Sequence, residues 1–436
     1  MATYADRSLR EIRRDLHAHP EVGWTEYRTS ALVAETLDEL GYTLHLGADA
    51  LEVEARMGVP DDDDLAAARE RAAEAGAPAE YLDRFEATTG LVAERSFGPG
   101  PVVGVRVDMD ALPVTESSEA DHRPAREGFA SRHPGEMHAC GHDGHTAIGL
   151  GIARAFAGGD AEMKAETEAE PEDEEPFDGT LRLFFQPAEE GLRGGLAMSR
   201  TDLIEVDRFL ALHLGLGRET GTVVAGLDRP YASTKVQARF EGRSAHAGNE
   251  PEAGRNALQA AAAAVQGLYG LPRDSRGVTR INVGEVHSPN AQNVVADATG
   301  LRYEVRSDDG DAVEALLAGA ERVLSGAARM HGVDVATSTV GEAATFEADD
   351  AMVEAVADAA RAAEGVDRVV ERDRLTASED AAHLIRRVQD AGGTATYVGI
   401  GASNAAGHHM PRFDVEEAAL DVAVDVVTRT VRGLGS

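Results

Sequence analysis

The sequence predicts an α/β fold: a mixed, largely parallel sheet covered by helices, with a smaller α+β domain inserted into it. Two observations carry this expectation. Apolar segments at 101–107, 181–185 and 208–213 each end in polar or charged residues and alternate with helical patterns. Strands of that kind gather a site at their C-terminal ends. From Ala232 onward the order becomes strand, helix, strand, strand, helix, strand, the ferredoxin-like arrangement.

Each element follows from its own pattern. Leu9, Ile12 and Leu16 recur at helical spacing until His17, His19 and Pro20 interrupt; residues 29–40 resume the period and stop at Gly41. Residues 61–88 open on four aspartates and continue rich in Ala, Glu and Arg, a helical insertion with an acidic cap. The strand at 101–107 runs into Asp108 and Asp110. Residues 146–157 are a helix with Ile148, Ile152 and Phe156 on one face. Residues 160–178 are acid-rich without a period and read as a solvated loop. The strand at 181–185 leads to Gln186 and Pro187, and that at 208–213 ends on His213. Segments 232–240, 256–269, 279–286, 298–306, 312–330 and 337–341 supply the inserted domain. Helices at 351–364, 379–391 and 415–433, with a strand at 394–400, return to the first one. The expected boundaries are 1–227 plus 342–436 for the larger domain and 228–341 for the insert.

Composition narrows the function. The 436 residues are 43% hydrophobic, enough for a real core, and no run approaches the roughly 20 apolar residues of a membrane span. The first twenty residues are charged and lack the apolar region of a secretory signal, so a cytoplasmic protein is expected. Acids outnumber bases 77 to 42, for a net charge of −35. Such a surface repels nucleic acid and anionic membrane. Lysine occurs only at Lys164 and Lys235, and the acids spread along the whole chain. That pattern suits high salt, where screening removes self-repulsion. Cys140 is the single cysteine, which excludes an internal disulfide and a multi-cysteine zinc cluster but not a mixed site with one thiolate. No P-loop, GxGxxG turn or GxSxG elbow is present, which argues against phosphoryl transfer, dinucleotide binding and serine hydrolysis.

The residues that carry chemistry cluster. His138, Cys140, His142, Asp143 and His145 fall within eight positions before a helix, a combination costly to bury unless it binds a metal. Cys140 and His142, two apart, can face one side of an extended backbone, Asp143 can cap the helix, and His138 and His145 can support. Glu189 and Glu190 follow a strand, where one carboxylate can ligate and the other move a proton; a helix-terminal acidic turn is the bland alternative. His213, at another strand end, and His408 with His409 complete a set large enough for a metal pair. Asp108 and Asp110 can hold metal, orient a base or cap a turn. In the insert, His246 sits among small residues that allow close approach of a ligand, while Asn293 and Arg306 can bind a carboxylate or, for Arg306, form a surface ion pair.

The segments around His17, His19 and Pro20, Asp108 to Pro113, Met137 to His145, Gln186 to Gly191, Ala211 to His213, Ser244 to Ala247 and His409 to Phe413 occur in order along nearly the entire chain. In them the sequence resembles the dinuclear metallo-amidohydrolases that include aminoacylases, glutamate carboxypeptidases and auxin-conjugate hydrolases. Within that family it resembles the aminobenzoyl-glutamate hydrolase branch, through Met137 to Cys140, Asp143 to Gly151, Asn256 to Leu258, Asn293 to Val295, Ser378 to Asp380 and Ala406 to His409. The resemblance implies a metallo-exopeptidase-like catalytic domain and an inserted dimerisation or lid domain. It implies two divalent ions, Mn²⁺ or Zn²⁺, held by Cys140, His142, Glu190, His213 and His409, with Glu189 as general base, Asp110 as support and His246 stabilising the oxyanion. His408 beside His409 leaves open which of the two binds. Asp108 stands where peptidase branches have a ligand histidine, and Met410 where a serine is common. The implied substrate is an N-acyl or N-aroyl amino acid, p-aminobenzoyl-glutamate first; an auxin conjugate, an N-acetyl amino acid or N-acetyl-diaminopimelate is the alternative. A homodimer is implied, with a paralogous second subunit or a non-catalytic role as the rival reading.

Overall fold

Among the residues described by the structure, a computed structural model (3–158, 177–275 and 277–435), strands and helices alternate through two compact units. The strands are β1 (Thr43–Leu46), β2 (Leu91–Ser96), β3 (Val102–Asp108), β4 (Thr180–Gln186), β5 (Arg208–Leu214), β6 (Thr222–Asp228), β7 (Ala232–Glu241), β8 (Thr279–His287), β9 (Ala298–Ser307), β10 (Asp334–Ala343), β11 (Arg368–Arg374) and β12 (Thr394–Ile400). The helices are α1 (Leu9–Ala18), α2 (Tyr27–Glu39), α3 (Asp62–Glu74), α4 (Ala79–Leu82), α5 (Arg123–Glu127), α6 (His142–Ala157), α7 (Gly194–Met198), α8 (Ala257–Tyr269), α9 (Gly310–His331), α10 (Asp350–Ala362), α11 (Ala381–Asp390) and α12 (Ala418–Leu434).

The first unit spans Met1–Asp228, Phe346–Arg374 and Asp380–Ser436 and holds a sheet of order β1-β2-β4-β3-β5-β12-β6-β11. Its centre, β4-β3-β5-β12, is parallel, and antiparallel pairs join β1 to β2, β2 to β4, and β12 to β6. The central strands are apolar and buried on both faces, as a parallel sheet covered by helices requires. Their register sets Asp108 beside Gln186 and His213 beside Gly399, so four strand ends open on one edge. Helix α6 lies close over this sheet because Gly149 has no side chain: a Cβ there would sit 2.8 Å from the Phe185 ring.

The second unit, Arg229–Thr345 with Leu375–Glu379, is an antiparallel sheet of order β10-β7-β9-β8 with α8 and α9 packed on it. Its order is the ferredoxin-like one, and its core is small: Phe240, Leu301, Val305 and the alanines of α8. It takes up four residues after Gly341 and a short later segment, 375–379, that the sequence pattern assigned to the larger domain. The periodic helices fall where expected, with Asp61 capping α3 and Asn256 capping α8. Helix α6 begins four residues before Thr146, because Gly141 at φ 96° caps it with backbone alone. Strands β1, β2, β6 and β11 add to the expected set. Of the acidic stretch 160–178, only Phe177 and Asp178 lie within the described residues.

Candidate metal centre

The strand ends and loops of the first unit bring the chemistry-bearing residues together. Cys140, His142 and Glu190 each offer a donor atom within 4.8 Å of the others, and Cys140, His213 and His408 form a second such trio. Cys140 belongs to both, buried, with its sulfur 3.5 Å from His213 Nε2. His409, in a left-handed backbone conformation at φ 66°, places Nε2 3.3 Å from Glu190 Oε2. His408 instead turns Nε2 to the Leu214 carbonyl at 3.3 Å. Asp108, His142 and His145 make a third trio deeper in the fold.

Hydrogen bonds fix which ring nitrogens carry lone pairs. His142 Nδ1 donates to the Asp110 carbonyl at 2.9 Å, and His213 Nδ1 donates to the Leu214 carbonyl at 2.8 Å. Each neutral ring therefore presents a bare Nε2. His142 Nε2 is buried with no hydrogen-bond partner among the described residues, 3.9 Å from carboxylate oxygens of both Glu189 and Glu190. Soft thiolate, two imidazole lone pairs and a carboxylate fit a divalent ion such as zinc or manganese.

Electrostatics point the same way. Burial first, then the nearby Glu190 charge, pushes the Cys140 thiol well above its usual value. Burial, with Asp110 and Asp108 facing it, raises Glu190 to about 8. Burial opposes a charged His142, but Asp108 and Cys140 outweigh it and hold this ring well above the ordinary imidazole value. Burial drives His213 well down and His408 to about 4. Binding of a dication favours the deprotonated thiol and carboxyl and competes with a proton for His142 Nε2.

The turn that carries Glu189 and Glu190 is held at three successive backbone amides. Asp110 accepts from the Glu189 and Glu190 N–H groups, each at 3.0 Å, and Glu26 accepts from Ala188 at 2.8 Å. Ala188 needs that hold, since it sits at φ 55°, where an alanine is strained. The segment is a turn, not a helix N-terminus; α7 starts only at Gly194. Asp143 does not cap α6. Its carboxylate takes Arg13 Nε at 2.9 Å and His17 Nδ1 at 2.8 Å. Although burial opposes it, Arg13 and His17 hold Asp143 far below the usual carboxylate range. Sequence reasoning missed Glu26, Arg13 and Arg106. Each is a fully buried charged residue, and it holds partners that lie far along the chain, Gln186 and Asp380 for Arg106, Asp143 and Asp414 for Arg13, Thr89 and Ala188 for Glu26.

His246, Asn293 and Arg306 belong to the second unit. His246 is exposed, and its Nδ1 accepts from the Gly248 and Asn249 amides, each at 3.1 Å. A neutral ring so held carries its proton on Nε2. The Asn293 carbonyl accepts from Ala247 beside it. Arg306, on β9, pairs with Glu304 at 2.9 Å.

Comparison with known proteins places this geometry. The indole-3-acetyl-aspartic acid hydrolase of Enterobacter agglomerans and one subunit, the first by letter, of the p-aminobenzoyl-glutamate hydrolase of Escherichia coli K12 are each 43% identical over 97% of this chain and 94% of theirs. The crystal structure of an aminobenzoyl-glutamate utilization protein from Klebsiella pneumoniae is similar at a TM-score of 0.80 and 36% identity, covering 98% of this chain and 95% of that one. No described helix is long and apolar enough to cross a membrane. The model of peptidase family M20/M25/M40 matches residues 104–433, and the chain belongs to that family.

Proposed function

We propose that the chain is a two-metal amidohydrolase that cleaves the amide between an aromatic-bearing acyl group and an acidic amino acid, p-aminobenzoyl-glutamate before others. The observation that carries the reading is the gathering of Cys140, His142 and Glu190 in one donor trio, with His213 Nε2 3.5 Å from the Cys140 sulfur, His409 Nε2 3.3 Å from Glu190, and Glu189 one residue from Glu190. The two relatives at 43% identity are named for a glutamate and an aspartate conjugate, which supports the substrate class. Cys140, His142, Glu190, His213 and His409 would hold the ions. His409 is favoured over His408 by its approach to Glu190, while the His408 Nε2 is committed to a carbonyl. The thiolate favours Zn²⁺ over Mn²⁺.

When bound, the two ions supply Lewis acidity toward the scissile carbonyl and lower the pKa of the attacking water. Glu189 takes that water's proton and returns it to the leaving nitrogen. Asp110 keeps Glu189 and Glu190 aimed by holding both their amides. The Nε2–H of His246 donates to the tetrahedral oxyanion. Asn293 and Arg306 bind the substrate carboxylate. The second unit pairs with its copy in a homodimer: its edge strand β8 and helix α8 expose Val286 and Leu258 at 45% and 42%. A different second subunit is the alternative, since one relative is named as part of a multi-subunit hydrolase.

The test is release of p-aminobenzoate from p-aminobenzoyl-glutamate by the purified chain. It is run before and after chelation and after return of Zn²⁺ or Mn²⁺. A panel with indole-3-acetyl-aspartate, N-acetyl amino acids and N-acetyl-diaminopimelate ranks the rivals. Full metal loading without turnover on any of them would overturn the catalytic reading.

A further inference from the structure

We propose that His145 is a positioning residue that aims His213 through the backbone of Leu214 and does not itself bind a metal. The inference rests on the two-metal reading. His145 lies with Asp108 and His142 in a trio of donor-bearing residues, so proximity alone would make it a ligand. Its hydrogen bonds assign it differently.

Asp108 is locked as an acceptor. Arg106, fully buried beneath the site, donates to its Oδ2 at 2.8 Å and is itself held by Gln186 Oε1 at 2.9 Å. The remaining oxygen of Asp108 faces His145 Nδ1 at 2.5 Å, so Nδ1 carries the hydrogen. On the other side of the ring, His145 Nε2 meets the Leu214 backbone N–H at 2.8 Å. A backbone N–H only donates, so Nε2 is the acceptor. Both contacts demand the same neutral tautomer, and together they use the proton and the lone pair. No lone pair is left for a metal.

His145 grips the backbone N–H of Leu214, the same residue whose carbonyl, in the next peptide, orients His213. The Leu214 carbonyl accepts from His213 Nδ1 at 2.8 Å and from His408 Nε2 at 3.3 Å, which leaves His213 Nε2 bare toward the Cys140 sulfur. The two imidazoles meet edge to face at 4.7 Å between centroids. Gly144 makes the approach possible, since a Cβ there would come 2.6 Å from the Leu214 side chain. The order of control thus runs from Arg106 through Asp108 and His145 to the Leu214 N–H, and across that residue from its carbonyl to His213. Outer residues of this kind typically change metal affinity about 10–100-fold.

The experiment compares His145→Ala, His145→Asn and His145→Gln in the full chain. It reads zinc affinity by competition with a chromophoric chelator, ion stoichiometry at saturation, and the thiolate-to-cobalt absorption of the Co²⁺-loaded protein. His145→Ala is expected to bind two ions, one about 10–100-fold more weakly, with a shifted cobalt band. Gln can reach the Leu214 N–H and should recover part of the affinity, whereas Asn keeps only the Asp108 contact and should resemble Ala. The Gln–Asn contrast carries the test if the Ala variant does not fold. Loss of a whole ion on substitution would make His145 a ligand and overturn the proposal. So would affinities and spectra unchanged in all three variants of a wild type that binds two ions. A wild type that binds no divalent ion would instead bring down the two-metal reading, and this inference with it.

Discussion

Glu189 and Glu190 are adjacent in sequence and equal in chemistry, and only their surroundings can assign them different work. Their amides are held by one carboxylate, Asp110, so a change in either side chain leaves the turn in place. Glu189→Gln should therefore keep two ions at saturation while turnover falls by about 10²–10⁴, the usual share of a general base; metal analysis with kcat checks both halves. Loss of an ion with activity kept would show that the two glutamates are exchanged. Cys140 is common to both donor trios, so Cys140→Ala should lower metal content and melting temperature together, as bound metal stabilises the fold by mass action. Full stoichiometry in that variant would remove the thiolate from the site. The gathering of Cys140, His142, Glu190 and His213 was legible because each sits beside a strand end or a helix start in the sequence pattern. The partners that set proton positions were not. His142 depends on Asp110 and His145 on Asp108, 32 and 37 residues away, and Asp143 on Arg13, 130 residues away.

Helices α1, α6 and α12 meet through buried charge as well as apolar packing. Arg13 on α1 reaches Asp143 in the first turn of α6 and Asp414 and Glu417 just before α12, at 2.9, 2.7 and 3.4 Å. His17, one turn on, bridges Asp143 and Glu116 at 2.8 and 3.0 Å. Burial disfavours its charge, but these two carboxylates prevail and raise its pKa from 6.5 to about 9. The folded value lies above the unfolded one, so this contribution is complete below pH 6.5 and is lost as pH rises through about 9. Between those limits the wild type should lose up to about 3 kcal/mol that His17→Gln does not lose. Denaturant unfolding of both proteins across pH 6–10 at fixed metal concentration reads the difference; parallel curves would refute the linkage. The elements follow the same logic of legibility. Helices with a clear apolar stripe could be read directly. Strand β11 could not, because five of its seven residues are charged, and β1 has only four residues. Helix α6 starts early because a left-handed glycine, not a polar side chain, begins it.

At the scale of the whole molecule, a net charge of −35 with only two lysines sets up self-repulsion that salt relieves. The melting temperature should rise by roughly 10 °C between dilute buffer and molar KCl; a flat response would reject salt adaptation. The last expectation concerns assembly. The proposed oxyanion donor, His246, lies in the second unit, and the proposed base, Glu189, in the first. Nothing in the chemistry requires both to come from one chain. If the second units pair in a two-fold dimer and His246 serves the partner's metal site, each site is built from two chains. His246→Ala should then keep both ions and the dimer and lose about 10²–10³ in rate, the cost of one oxyanion donor. Glu189→Gln should be inactive for a different reason. Mixed after dissociation and reassociation, the two inactive proteins form heterodimers in which one site joins an intact Glu189 with an intact His246 and the other has neither. At equal amounts half the dimers are mixed and half their sites are complete, so about a quarter of wild-type activity should return. Activity that stays at the level of the separate variants, with heterodimers shown by mass spectrometry, would place His246 in its own protomer's site or outside catalysis. A quarter recovered would make the dimer a condition of the chemistry and explain why an exposed histidine in a separate unit belongs to the reaction.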